Sequence, residues 1–209
     1  MLCMGEISPQ LADNETWVDQ TFEKCDDILH RQVYLGQGRQ EGLLVYVEVA
    51  VSNLMLEEHV IGLSDVQPLK SYEEGKAALL AGNGLLFLDG DTNCYKISSK
   101  GYPGLGVKKA ENEKVIRGSQ EAFTESEKIN VALIRKRLRD SRMKVEEQTV
   151  GVRSHTMTAL VYMEDLIYQG LLTTMKQQLQ RYEIDGILDS GMLEQLSEKH
   201  WLSPFPQFQ

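Results

Sequence analysis

The sequence predicts an α/β (α+β) protein made of two similar subdomains, each a small mixed β-sheet flanked by helices. Segments with helical and with strand periodicity alternate along the chain, which is typical of mixed folds. A five-residue pattern also recurs, since L-V-Y-V-E at 44–48 matches L-V-Y-M-E at 160–164 in the same order of surrounding elements. A Gly- and Lys-rich stretch at 100–112 separates the two copies. We therefore place the subdomains at 1–105 and 106–209.

The first half is predicted to hold helices and paired strands. Periodicity indicates helices at 11–25, 52–61 and 71–80, and strands at 28–35, 43–49, 84–88 and 93–98. The stretch 62–69, which contains Pro68, is predicted as a connection. Ser71 and Glu74 form a capping-box sequence for the third helix. The D-G-D triplet at 89–91 is a hairpin-turn signal.

The second half is organised around a central helix. Thr124 and Glu127 form a second capping-box sequence ahead of it. The other predicted elements are strands at 114–116, 144–150, 157–163 and 184–188, a helix at 165–181 and a final helix that ends at 199. Asp189 or Ser190 caps that last helix. Because helices cover at least one face of each sheet, we expect strand directions to be mixed rather than purely parallel.

The composition is that of a folded protein in a reducing compartment, and it argues against nucleic acid as a partner. Of the 209 residues, 25% are charged, and the net charge is -9. Phosphate backbones need a basic surface instead, and an anionic membrane surface is disfavoured for the same reason. The cysteines, Cys3, Cys25 and Cys94, are widely spaced and form no C-x-x-C. We therefore expect reduced thiols, without a zinc site or a disulfide framework.

The apolar runs of the chain are all short. None approaches the roughly 18 residues that a membrane-spanning helix needs, and no signal peptide is recognisable at the N-terminus. The last residues, L-S-P-F-P-Q-F-Q at 202–209, are apolar, contain two prolines and stop abruptly. We therefore expect this chain to be a piece of a longer protein.

No catalytic, metal or cofactor site is predicted. The D-G-D-T-N sequence at 89–93 starts like a calcium loop, but Cys94 stands at the sixth position and Lys100 at the twelfth. The glycines at 101–106 do not follow the G-x-G-x-x-G order of a phosphate-binding turn. The four histidines lack metal-ligand spacing. Nothing in these patterns argues for an enzyme.

Two groups of charged residues have alternative interpretations. Asp185 and Asp189 are close enough in sequence for acid–base work, but Asp189 precedes a predicted helix and a capping role is favoured. Basic residues crowd the last turns of the central helix at 135–139. They either bind an anion or an acidic partner, or form a solvated turn that complements the negative end of the helix dipole.

The densest pattern in the chain lies just past its middle. V-I-R-G-S-Q-E-A-F-T-E at 115–125 and N-V-A-L-I-R-K-R at 130–137 closely resemble the V-x-R-G-P-x-x-x-F-x-E and N-x-A-L-I-R-x-R signature of the GerA family, the A subunits of bacterial spore nutrient germinant receptors. The segments 184–191 and 203–207 resemble later motifs of that family. Ser119 stands where the family usually has Pro, which loosens the turn before the central helix.

The resemblance implies that the chain is the soluble N-terminal domain of a larger A subunit. Such a subunit continues into a multi-helix membrane domain in the spore inner membrane, and this domain faces the cytoplasm, or core, of the spore. The family works with a permease-like B subunit and a lipoprotein C subunit. Its A subunits associate with one another, and their membrane part forms an ion channel opened by nutrients. No enzymatic activity or cofactor is implied.

Two hypotheses for function follow from the resemblance. In the first, the chain is a regulatory and assembly domain that couples nutrient sensing to the channel. The residues expected at its interfaces or along the coupling route are Arg117, Gly118, Glu121, Phe123, Asn130, Arg135, Arg137 and Asp189. In the second, a cleft between the two subdomains binds a small nutrient such as an amino acid, a sugar or a nucleoside. A hydrolase or transferase has no supporting motif.

Overall fold

The computed structural model describes residues 5–36, 39–49, 66–98, 122–181 and 185, which form a five-stranded sheet, a two-stranded sheet and four helices. The helices are α1 (Leu11–Thr21), α2 (Tyr72–Leu80), α3 (Glu127–Arg137) and α4 (Gln169–Arg181). The strands are β1 (Ile28–Leu35), β2 (Gln40–Val47), β3 (Val66–Leu69), β4 (Gly84–Leu88), β5 (Cys94–Ile97), β6 (Met143–Val150) and β7 (Thr156–Met163). The predicted α/β class is confirmed.

The five-stranded sheet has the strand order β1-β2-β4-β5-β3. The interior strand β2 is buried at every position from 43 to 47, which requires cover on both faces because successive side chains point to opposite sides. Trp17 of α1 stacks on Tyr72 of α2 with ring centroids 4.6 Å apart. The same indole meets Phe22 and Phe87 edge-on. These aromatic contacts join α1 and α2 to the sheet in one core.

The two-stranded sheet is the β6–β7 hairpin. The strands pair in register from Met143 opposite Met163 to Val150 opposite Thr156. Val131 of α3 packs on this hairpin, against the fully buried side chains of Met143 and Val145. The apolar side of the hairpin therefore depends on α3 for its cover.

The strand pairings differ from the sequence-based expectation. Every ladder in the two described sheets is antiparallel, so the expected mixture of strand directions is wrong for them. Short connections between consecutive strands favour hairpins, and hairpins are antiparallel. A single parallel bridge, Cys25 with Val145, links the chain ahead of β1 to β6.

Several predicted boundaries also move. The first helix ends at Thr21, not at residue 25, and α4 begins at Gln169, not at 165. The stretch 66–69, predicted as a connection, is the edge strand β3, in which Pro68 lies opposite Tyr95 of β5. Proline is tolerated at a sheet edge because its missing N–H is not needed there.

Some predictions fall outside the described residues. These are the helices at 52–61 and up to 199, the strands at 114–116 and 184–188, and the boundary at 105/106 between the two subdomains. The division into two subdomains at that point therefore stays a prediction. Within the described ranges, no helix combines the length and the apolar character that crossing a membrane requires.

Candidate functional site at the Asp27–Arg135 junction

The residues predicted to matter for function are divided by the structure into two groups. Arg117, Gly118, Glu121 and Asp189 lie outside the described residues. The others are on α3 or just ahead of it, namely Phe123, Asn130, Arg135 and Arg137. The site is therefore built outward from α3.

A short segment at 24–27, between α1 and β1, contacts the second sheet. The amide of Val145 donates to the carbonyl of Lys24, and the amide of Asp26 donates to the carbonyl of Val145, both at 2.9 Å. The carboxylate of Asp26 accepts the amide of Glu147 at 2.7 Å. This segment therefore lies along β6 as a short parallel strand. We refer to 24–27, α3 and β6 together as the junction.

Arg135 joins α3 to this segment through a buried ion pair. Its side chain has no exposed area, and Asp27 is 3% exposed. The guanidinium donates from Nε to Oδ2 of Asp27 at 2.8 Å and from Nη2 to Oδ1 at 2.7 Å. Nη1 donates to the carbonyls of Met143, at 3.2 Å, and Asp140, at 3.3 Å. One side chain thus fixes the start of β1, the end of α3 and the start of β6 relative to one another.

The electrostatics of the junction keep Arg135 charged. Burial acts against the charge, but the hydrogen bonds and the negative charge of Asp27 raise the pKa of Arg135. Burial raises the pKa of the neighbouring Cys25 thiol, although Arg135 partly opposes this shift. The Cys25 thiol donates to the Met143 carbonyl at 3.4 Å. Cys25 is therefore a protonated thiol at neutral pH and a weak nucleophile.

A second, more exposed contact lies beside the buried pair. Lys128 Nζ of α3 is 2.6 Å from Oε1 of Glu48, which directly follows β2. Glu147 of β6 faces the same lysine. Burial raises the pKa of Glu147, and the negative charges of Glu48, Glu127 and Asp26 add to that shift. Three carboxylates, those of Glu48, Glu127 and Glu147, therefore act on Lys128 and raise its pKa.

Asn130 fixes the chain that enters α3. Its Oδ1 accepts the amide of Thr124 at 2.7 Å, and its Nδ2 donates to the carbonyl of Thr124 at 2.8 Å. The predicted capping box of Thr124 and Glu127 is wrong, because α3 begins only after Ser126 and that residue caps it without a side-chain hydrogen bond. Asn130 instead fixes the chain that enters α3, through its hydrogen bonds to the backbone of Thr124, six residues earlier.

The two remaining predicted residues lie on the surface. Phe123 is 68% exposed. Arg137 is exposed at the end of α3, whereas Arg135, two residues earlier, is completely buried. The basic cluster at 135–139 is therefore not a single surface feature, because one of its members lies in the interior.

Sequence reasoning missed the partners of Arg135 and Lys128. Asp27 lay between the predicted helix at 11–25 and the predicted strand at 28–35, and Glu48 was noted only as the last residue of the repeated pattern. The repeat did contain a signal, since the amide of Glu48 donates to Asp27, just ahead of β1, and the amide of Glu164 donates to Arg142, just ahead of β6. Both copies thus close their hairpin in the same way.

The arrangement is suited to mechanical linkage. Removing one partner of a buried, doubly hydrogen-bonded ion pair leaves an uncompensated charge, so the pair resists separation. Among the described residues, no three His, Cys, Asp or Glu side chains are grouped so that they would hold a metal ion.

Comparison with known proteins places the chain in a family. The model of the Bacillus/Clostridium GerA spore germination protein matches residues 54–209. The uncharacterized membrane protein YfkQ of Bacillus subtilis (strain 168) is 29% identical over 97% of this chain and 44% of its own length. Spore germination protein KA of the same organism is 27% identical over 96% of this chain and 41% of its own. Spore germination protein GerLA of Bacillus cereus is 30% identical over 77% and 32%. The chain thus spans less than half the length of these relatives.

A solved structure has the same fold. The N-terminal domain of the A subunit of the Bacillus megaterium spore germinant receptor GerK3 matches with a TM-score of 0.71 and 21% identity, over 98% of this chain and 84% of that one. The likeness in structure covers both sheets, and the family model covers most of the sequence. The chain belongs to the Bacillus/Clostridium GerA spore germination protein family.

Proposed function

We propose that this chain is the N-terminal regulatory and assembly domain of a germinant receptor A subunit, and that it couples nutrient sensing to an ion channel during spore germination. In this proposal the full-length protein resides in the spore inner membrane, with this domain on the cytoplasmic side. It associates with B and C subunits and with further copies of itself. The names of its relatives support a role in spore germination, and their greater length supports a further region beyond this chain.

The observation that carries the coupling role is the buried Asp27–Arg135 pair. A coupler must pass a displacement from one part of the protein to another without absorbing it. The junction ties the chain ahead of β1 to α3 and β6 by four hydrogen bonds from one guanidinium. Because such a pair is costly to separate, a movement of either sheet is transmitted to the other.

The chemistry of the described cysteines agrees with a non-catalytic role. Burial raises the pKa of Cys94 to about 12, and burial raises the pKa of Cys25 as well. Both thiols are protonated at neutral pH, and a thiol attacks substrates only as thiolate. These two side chains are therefore unsuited to nucleophilic catalysis.

The coupling role is tested by Arg135→Lys in the full-length receptor, expressed in spores that lack their own copy. Lysine keeps the positive charge but cannot bind Asp27 with two parallel hydrogen bonds. We expect receptor protein to be present in the inner membrane while nutrient-triggered germination slows. The matched control is Arg139→Lys, the same change at an exposed arginine that follows α3. Normal germination of Arg135→Lys spores at a normal receptor level would overturn the coupling role.

The assembly role rests on the surface residues near α3. Arg137 and Phe123 are exposed, and we propose that they contact a neighbouring subunit, together with Arg117. Arg137→Ala and Arg117→Ala should each lower co-purification of the B and C subunits while the 209-residue chain keeps its far-UV circular dichroism. Lys70→Ala, at an exposed position beyond β3, is the control. Unchanged co-purification in both arginine variants would contradict the assignment.

A further inference from the structure

A groove lies where α1 ends and the chain turns towards β1. It has a volume of about 340 Å³ and is lined by residues between 18 and 30 alone. It is therefore formed within the first half of the chain, not between the two halves. That volume is at the small end of the range for ligand sites in proteins, which begins at about 300 Å³.

The floor of the groove is apolar. It is formed by Val18, Phe22, Cys25 and Ile28, which are all at least 92% buried. Leu29 forms part of the wall and is 36% exposed. The groove therefore offers an apolar surface to the part of a ligand that has no charge.

The rim of the groove is acidic. Asp19, Glu23 and Asp26 line it, and Lys24 is its one lysine. His30 also lines it, with Nδ1 3.8 Å from Asp19. The carboxylate of Asp26 already accepts the amide of Glu147, so Asp19 and Glu23 are the rim carboxylates that attract a cation.

The helix α1, which ends at the groove, also favours a cation there. The C-terminal end of a helix carries partial negative charge from its unpaired carbonyls. The last turn of α1 contains no basic residue that would answer this charge. An apolar floor, an acidic rim and a helix C-terminus therefore favour the same ligand, one with a positive charge and an apolar body.

We propose that this groove binds a small organic ammonium compound, with the ammonium group at Asp19 and Glu23 and the apolar part over Val18 and Ile28. This is a function beyond the coupling role, and it places the ligand on the junction itself. Cys25 lines the groove and also donates to the carbonyl of Met143, which Arg135 contacts from the other side. A ligand here acts directly on the segment that joins the two sheets.

The test uses the 209-residue chain and three probes of similar shape, namely phenethylammonium, 2-phenylethanol and phenylacetate. Methyl NMR spectra are recorded during titration with each probe. We expect saturable shifts from phenethylammonium at the methyl groups of Val18, Ile28 and Leu29, affinity for phenylethanol at least about fivefold weaker, and no binding of phenylacetate. Equal affinity for the three probes, or shifts confined to other parts of the chain, would overturn the proposal.

Matched variants test whether the carboxylates of Asp19 and Glu23 bind the ammonium group. Asp19→Asn with Glu23→Gln should weaken phenethylammonium binding roughly three- to tenfold, as expected for two exposed charge contacts. Glu41→Gln with Glu73→Gln removes the same charge at exposed positions of β2 and α2 and should leave the affinity unchanged. If both pairs of substitutions weaken phenethylammonium binding equally, the effect comes from the net charge of the protein, and the groove is not the binding site. Because binding is measured directly, its failure leaves the germination test of the coupling role unaffected.

Discussion

At the scale of the residue, Arg135 is the side chain on which the junction depends most. A fully buried guanidinium is tolerated only when its donors are satisfied, and here they meet a carboxylate and two carbonyls. Taking both charges out of water costs several kcal/mol, so the net contribution of such a pair to stability is small. Losing one partner has a far larger effect, because the other charge then stays buried alone.

Arg135→Met should lower the free energy of unfolding of this chain by about 3–5 kcal/mol. The substitution leaves the carboxylate of Asp27 without its two donors and the carbonyl of Met143 with one donor fewer. Urea denaturation followed by circular dichroism measures the loss. Arg139→Met, at an exposed position, should change the same quantity by no more than about 0.5 kcal/mol. Equal losses in the two variants would show that the buried pair has no special role.

Asp27→Leu combined with Arg135→Met should recover most of the stability that Arg135→Met loses. Replacing both ions of a buried pair with apolar side chains of similar volume is often neutral or stabilising. The native chain, the two single variants and the double variant form a double-mutant cycle, and the coupling energy should be about 2–3 kcal/mol in favour of the matched pairs. Additive losses would show that the two side chains do not act as a pair.

The sequence named Arg135 but not its partner. Arg135 follows Val131 by four positions, so both lie on the face of α3 that turns inward, and the surrounding pattern marked it as a candidate. Asp27 is 108 residues earlier in the chain. Only the placement of 24–27 along β6 brings the two together, and no local pattern encodes that placement.

At the scale of the element, the start of α3 depends on a side chain within the helix instead of a cap before it. Asn130 makes two hydrogen bonds to the backbone of Thr124, and thereby closes a loop between them. The S/T-x-x-E pattern at 124–127 fits a capping box in sequence, but the helix starts later. The same threonine uses its hydroxyl to accept the amide of Ser126 instead.

Asn130→Ala should destabilise the chain by about 1–2 kcal/mol, the usual contribution of two partly buried hydrogen bonds. Asn130→Asp keeps the acceptor for the Thr124 amide and loses the donor to the Thr124 carbonyl, so it should fall between Ala and the native residue. Guanidinium denaturation of the native protein and the two variants gives their order of stability. An alanine variant as stable as the native protein would show that Asn130 does not hold the entry to α3.

The sequence predicted most strands well, long or short, and β4 (Gly84–Leu88) has the predicted bounds. The strands β1, β2, β6 and β7 have eight residues each, and all four were expected within three residues of their observed ends. β3 has four residues and contains Pro68. A run so short shows no alternation, and proline argues against a strand unless the edge position is known. That position depends on β5, whose first residue, Cys94, comes 25 residues after its partner Leu69 at the end of β3.

At the scale of the whole molecule, the two halves share one plan. The order helix, strand, strand occurs as α1–β1–β2 and again as α3–β6–β7. In each copy the residue after the second strand, Glu48 or Glu164, donates its amide to the residue before the first strand. The junction joins the two copies, and it does so with charged residues that lie close together. Beside the ion pairs, Glu147 lies near the carboxylates of Glu48, Glu127 and Asp26, and we therefore expect the stability of the junction to depend on pH.

Glu147→Gln should raise the melting temperature at pH 7. Burial and the neighbouring carboxylates raise the pKa of Glu147 in the folded state above the ordinary value of 4.5. The folded state therefore holds this proton more tightly than the unfolded state. Stability is lost as the pH rises from the unfolded pKa to the folded pKa, and above the folded pKa the full penalty is present. The gain from glutamine should disappear well below pH 4.5, where the carboxyl is protonated in both states. Calorimetry at pH 7 and at acid pH measures the difference in melting temperature between Glu147→Gln and the native chain.

The exposed Glu125→Gln, which removes the same charge just ahead of α3, is the control for Glu147→Gln and should leave the melting temperature unchanged at both pH values. A gain at Glu147 that persists at acid pH would assign the effect to packing instead of charge. No gain at pH 7 would show that Lys128 neutralises the repulsion among the surrounding carboxylates.

The two halves should also unfold independently of each other when the buried Asp27–Arg135 pair is removed. The core beneath the hairpin is small, with Val131, Met143 and Val145 as its buried members among the described residues, whereas the core of the five-stranded sheet includes the aromatic stack on Trp17. A small core opens at low cost unless a neighbour supports it.

In the native chain, the amides of β6 and β2 should therefore exchange with solvent by the same global opening. In Arg135→Met, the amides of β6 should lose protection first while those of β2 keep theirs, and Asp27→Leu with Arg135→Met should restore equal protection. If β6 and β2 lose protection together in Arg135→Met, the hairpin is held by the five-stranded sheet through contacts other than the buried pair.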